Sequence, residues 1–236
     1  MQIYTRYTLN MTNIQFIKEY AKSATLAPLG NLYRTVHKRN RFLRILPESI
    51  KTKSLFIHVP KTGGHSVGLS LYNRDPWHFR YIDYAGYAED NDISLDEFFK
   101  FTIIRNPVER MVSMHNYYQG LSYVHHREIP LKLSPDIISF TNNWLELRGK
   151  LSKKKMRPFL YTQLEYVCGA DGSVAMDYVG RLEDISNDFK YISAKVGRHS
   201  ASLQHTNKSA KREKLSNSDR NYVADVFADE MALFQY

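Results

Sequence analysis

The stretch S-L-F-I-H-V-P-K-T-G-G-H-S, Ser54 to Ser66, decides how this chain folds. Leu55 to Val59 is an apolar run of strand length, as expected of a buried central strand. Pro60, Lys61, Thr62, Gly63 and Gly64 interrupt it, and G-H-S-V-G-L-S-L-Y then predicts a helix. Strand, tight turn and helix start make an anion site by geometry. The first turn of a helix has unpaired N–H groups, and the helix dipole adds partial positive charge there. Glycines let the backbone come close to an anion. Lys61 supplies a full charge, Thr62 and Ser66 supply hydroxyls. The G-x-x-x-x-G-K-[ST] spacing of an ordinary nucleotide P-loop is missing. The structural alternative is a glycine turn with a surface lysine.

A second motif is F-T-I-I-R-N-P-V-E-R-M-V-S, Phe101 to Ser113. Phe101–Ile104 reads as a strand, and Arg105 stands at its carboxyl end, where open α/β sheets bind ligands. Asn106 and Pro107 have the N-cap and first-turn chemistry of a helix start, and the helix is predicted to run to about Tyr118. Arg110 and Ser113 share one face of it. An arginine at a strand end and a helical serine together suit a phosphate, which Arg binds bidentately. The alternative pairs Arg105 and Arg110 with acids such as Glu109.

Around these motifs the chain alternates strands and helices, which implies an α/β fold with a mostly parallel central sheet flanked by helices. Residues 13–24 suit a short amphipathic helix. Ser94 and Glu97 suit a capping box opening a helix at L-D-E-F-F-K. Ser134-Pro135 predicts a helix ending near Leu147, and R-G-K-L-S-K-K-K-M-R from Arg148 to Arg157 reads as a basic loop. Met176–Val179 reads as a strand, Asp184–Val196 as a helix closed by Gly197, and Ser218–Phe234 as one long helix.

A length of 236 residues suits one domain with a terminal appendage. The net charge of +9 is unevenly placed: residues 1–53 carry ten Lys and Arg against two acids, and the rest is nearly neutral. We therefore divide the chain into a basic N-terminal helical arm, 1–53, and a main domain, 54–236. A neutral main body argues against a dedicated nucleic-acid binder. The arm suits peripheral contact with a membrane surface or another acidic partner. The single cysteine, Cys168, excludes an internal disulfide and a Cys-rich metal site. The opening residues lack the apolar core of a signal peptide, and no apolar run approaches the roughly 18–20 residues of a membrane span, so the expectation is a cytoplasmic chain.

Taken together, P-K-T-G-G-x-S after one strand and R-N-P-x-x-R-x-x-S after another resemble the sulfotransferases. The resemblance is to the family 2, carbohydrate sulfotransferase group, which uses 3′-phosphoadenosine 5′-phosphosulfate (PAPS). V-G-R-L-E-D-I-S-N-D-F (Val179 to Phe189), H-T-N-K-S-A-K-R (His205 to Arg212) and F-A-D-E-M-A-L-F-Q-Y (Phe227 to Tyr236) are similar to that family's later segments. The resemblance covers residues 54–236 and implies a P-loop-like, three-layer sulfotransferase fold. It implies that Lys61, Thr62, Gly63, Gly64, His65 and Ser66 contact the 5′-phosphosulfate. Arg105 and Ser113 would grip the 3′-phosphate, with Lys208, Ser209 and Arg212 covering the nucleotide. Relatives commonly carry Thr where this chain has His65.

What the resemblance implies chemically is in-line sulfuryl transfer to a hydroxyl, without a metal. Lys61 would stabilise the bridging oxygen, and a general base would take the acceptor's proton. His78 in D-P-W-H-F-R-Y-I-D-Y matches a histidine that relatives place there, with His65 second and Asp83 and Glu89 behind. The implied acceptor is a glycan or glycolipid, with acidic glycans drawn by the Arg148–Arg157 loop and the basic arm. Two other readings stand beside this one: a P-loop-type kinase using ATP, and a non-catalytic module binding nucleotides or polyanions.

Overall fold

A computed structural model describes residues 47–151, 156–204 and 215–236. The predicted strand at the opening motif is β1, Ser54–Ile57, with all four residues buried. The chain then turns through Pro60–Gly63 into α1, Gly64–Tyr72. Lys61 and Gly63 both have positive φ, 70° and 78°. Two positive-φ residues two positions apart turn the chain tightly, and only the glycine adopts that conformation freely.

Helix α2, Tyr81–Glu89, has no Ser or Thr cap to announce it. The Asp83 carboxylate instead accepts from the N–H and Nε of Arg80. Strand β2 runs Phe99–Ile104, two residues longer than the sequence implies. The capping-box helix at L-D-E-F-F-K does not form. Residues 94–98 make turns only, because Phe98 is buried and Phe99 N–H donates to the Lys53 carbonyl at 2.8 Å. Glu97, the supposed capping acid, pairs with Lys53.

Helix α3 spans Pro107–Gly120, and Asn106 caps it by accepting from Val108 and Glu109 N–H. A 3₁₀ turn leads into the one-turn α4, Ile129–Lys132, and then α5, Ile137–Lys150. Asp136, not Ser134, is the cap of α5. The expected basic loop thus begins as helix. Helix α6, Gln163–Val167, has a Thr162–Glu165 capping box. Strand β3 is Tyr178–Arg181, and α7 follows at Ile185–Lys195. The expected single terminal helix is two: α8, Asn217–Val226, and α9, Ala228–Leu233, parted at Phe227, whose φ of −112° and ψ of 30° leave the helical region.

The sheet has three parallel strands in the order β1-β2-β3. Phe56, Phe101 and Ile103 join Val67 and Leu71 of α1 and Phe189 and Ile192 of α7 in one core. Leu55, Ile57 and Ile104, pointing the other way, are also buried, as a parallel sheet covered on both faces requires. A second core gathers Met111 and Met114 of α3, Phe140 and Trp144 of α5, and Val223 of α8. Parallel pairing of Ile57 with Thr102 and Ile104 with Arg181 puts all three carboxyl ends on one edge. That edge carries the Lys61 turn and Arg105. The sheet-bearing unit is Ser49–Tyr236. The arm, with the helix expected at 13–24, falls outside the described residues up to residue 46. Among the described residues no helix is long and apolar enough to cross a membrane.

Candidate active site

The Lys61 turn is fastened from three sides. Thr62, fully buried, donates its hydroxyl hydrogen to the Val59 carbonyl at 2.9 Å, so it staples the turn. Arg110, also buried, donates from Nε to the Pro60 carbonyl and from Nη2 to the Tyr161 carbonyl, each at 3.0 Å. The α3 arginine therefore holds the peptide just before Lys61 and is not paired with Glu109. The third fastening is close packing: a Cβ at Gly64 would stand 2.1 Å from the His58 ring, and one at Gly63 2.7 Å from Leu182.

Lys61 and Arg105 meet. Arg105 Nη1 lies 3.4 Å from the Lys61 carbonyl, and Nη2 is 3.8 Å from Glu109, which also holds Arg220. The Lys61 ammonium sits over the Tyr117 ring, 4.5 Å from its centroid. Burial, and then the Arg105 charge, lower its pKa to about 8. Two cations held together with part of their hydration removed make a place where an anion is stabilised. Ser113 is half-buried two turns into α3.

Phe159 stacks on Tyr117 at 5.0 Å and meets His78 edge-on at 5.8 Å, so a row of rings joins Lys61 to His78. His78 Nδ1 is 3.0 Å from the His58 carbonyl. A carbonyl only accepts, so Nδ1 carries the proton and the lone pair is on Nε2. Burial, with the His58 ring 4.2 Å away, lowers the His78 pKa to about 3.

The sequence reading passed over His58 and Asp75. His58 is buried beneath Gly64, with its own pKa lowered by burial. Asp75 stands between His58 Nδ1 at 3.7 Å and His65 Nδ1 at 3.6 Å, and the His58 ring is the main cause holding its carboxyl down at about 2. His65 is thus turned to a carboxylate and is half-exposed. The one signal for His58 was its position: a polar residue in a strand-length apolar run, six residues before a glycine.

Asp83 is engaged by Arg80, and Glu89 is the exposed last residue of α2. Of the basic stretch, Arg148 pairs with Glu165, Lys150 with Glu146 and Arg157 with Glu128, so three of its six cations already face carboxylates. Lys208, Ser209 and Arg212 lie outside the described residues. A cavity of about 580 Å³ lined by Arg127, Asn143, Glu146 and Lys150 takes no wall from the Lys61 turn or from Arg105. Among the described residues no group of three or more His, Cys, Asp or Glu is arranged to hold a metal ion.

Open α/β sheets bind ligands at the carboxyl ends of their strands, and here that end of the sheet carries the lysine turn and an arginine. Compared with known families, residues 50–236 match the Sulfotransferase family (Sulfotransfer_2), and this chain belongs to it. Among curated proteins and among solved structures nothing matches the chain.

Proposed function

We propose that this protein moves a sulfuryl group from PAPS to a hydroxyl of a carbohydrate, a glycan or a glycolipid. The observation that carries the reading is the meeting of Lys61 and Arg105 across one sheet edge. Lys61, the backbone of Gly63 and Gly64, and the first turn of α1 with His65 and Ser66 take the 5′-phosphosulfate. Arg105 and Ser113 take the 3′-phosphate. The donor supplies an activated S–O bond. Lys61 then stabilises charge on the oxygen that leaves, and the turn's N–H groups stabilise the sulfuryl oxygens.

His78 takes the acceptor's proton on Nε2, with the ring orientation set by the His58 carbonyl. A ring held near 3 is a weak base in the free protein. Negative charge from the donor raises it, which couples proton removal to donor binding. Tyr117 and Phe159, between Lys61 and His78, give a sugar an apolar face to lie on.

The test is transfer of ³⁵S from labelled PAPS to a panel of acidic and neutral glycans, with and without a metal chelator. The reading expects label on at least one glycan and the same rate with chelator. Label transfer from ATP labelled at its γ-phosphate, in its place, makes the protein a kinase.

A further inference from the structure

Strand β2 ends at Ile104, so the main chain of Arg105 and Asn106 leaves the ladder and needs other partners. One buried side chain serves Arg105 on both sides. Gln163 Oε1 accepts from Arg105 N–H at 3.0 Å, and Gln163 Nε2 donates to the Arg105 carbonyl at 2.8 Å. The second hydrogen of that amide goes to Glu230 Oε2 at 3.0 Å, which fixes which end of the amide is which. Glu230, 2% exposed on α9, also accepts from the N–H groups of Gln163 and Leu164.

The next residue is reached by the same terminal stretch. Asn106 N–H donates to Glu183 Oε1 at 2.8 Å, and Tyr236 O–H donates to Glu183 Oε2 at 2.9 Å. Arg181 ties this end down, donating to the Phe234 and Gln235 carbonyls under the Tyr236 ring. Two separate chains of hydrogen bonds thus run from the last nine residues to two consecutive peptide groups at the strand end.

We propose that α9 and Tyr236 form a brace, acting through Gln163 and Glu183, that sets the stance of Arg105 toward the 3′-phosphate of the donor. The brace rests on the nucleotide reading above. Gln163, Glu183, Glu230 and Tyr236 are positioning residues: none contacts the nucleotide. Their effect falls on the one phosphate that Arg105 serves and not on the phosphosulfate end. Nucleotide specificity for a 3′-phosphate is therefore built partly by a helix more than a hundred residues further along the chain.

The experiment is calorimetric titration of the full chain with adenosine 3′,5′-bisphosphate and with AMP, which lacks the 3′-phosphate. Wild type is compared with Gln163→Glu, which removes the donor to the Arg105 carbonyl, and with Tyr236→Phe. Each variant is expected to weaken bisphosphate binding, by about tenfold for Gln163→Glu and about threefold for Tyr236→Phe, with AMP binding unchanged. Simple loss of stability lowers both affinities together, so equal losses, or none, overturn the brace. Should Gln163→Glu fail to fold, Tyr236→Phe at its half-buried position decides alone. A wild-type protein that binds the two nucleotides equally overturns the nucleotide reading, and the brace with it.

Discussion

Arg105 reaches across 44 residues of chain to place its Nη1 against the main-chain carbonyl of Lys61. The contact joins the ends of two neighbouring parallel strands and brings two cationic side chains to one end of the sheet. Their mutual repulsion is sustained by the fold, which anchors the Arg105 backbone through Gln163 and the Lys61 turn through Arg110.

Removing either cation should therefore cost binding and not the fold. Lys61→Ala and Arg105→Ala are each expected to weaken adenosine 3′,5′-bisphosphate roughly 10- to 100-fold, the worth of one charge-assisted contact. Calorimetry checks this, with circular dichroism showing the fold intact.

The Lys61 value of about 8 sets a pH dependence. Below it the ammonium is charged and attracts the donor. As pH rises through it the free protein loses that charge, and binding should weaken about tenfold between pH 8 and 9.5. Lys61→Arg keeps its charge and should remove the dependence. Equal slopes for both proteins would place the titration elsewhere.

Proton removal should separate from binding. His78→Ala is expected to leave bisphosphate affinity unchanged and lower kcat by about 10²–10⁴-fold. In the free protein the His78 ring should stay neutral from pH 5 to 8, with Nδ1 protonated, as ¹⁵N chemical shifts report. A midpoint near the ordinary histidine value would contradict the burial argument.

The turn's glycines have opposite expectations to a glycine in open space. Gly64→Ala drives a methyl into the His58 ring and should destabilise by about 1–3 kcal/mol. Gly86→Ala, in the middle of α2 with nothing within 4 Å of the new Cβ, should stabilise by up to about 1 kcal/mol. Thermal unfolding of both variants measures the contrast.

The parts of the fold legible in the sequence are those written locally. The apolar run before Pro60, the paired glycines, and the Asn106-Pro107 start each carry their own stereochemistry, and β1, α1 and α3 form where these residues imply. The Ser94 capping box misleads because Phe98 is buried in the core and Phe99 is taken into the β1–β2 ladder. Helix α2 escapes notice because an Arg80–Asp83 pair does the work of a Ser or Thr cap. At the site, Lys61 and Arg105 follow from strand ends. Gln163 does not, since its partners at 105 and 230 are brought together only by the packed fold. His58 is missed because its position in the apolar run does not say that its ring packs against Gly64, which only the folded turn brings about.

A crystal structure of the protein with adenosine 3′,5′-bisphosphate tests the central claim most directly. The account predicts the 5′-phosphate on the Lys61–Ser66 turn and the 3′-phosphate on the Arg105 guanidinium, in one cleft. A bisphosphate bound with its 3′-phosphate away from Arg105, or bound outside the cleft, would contradict it.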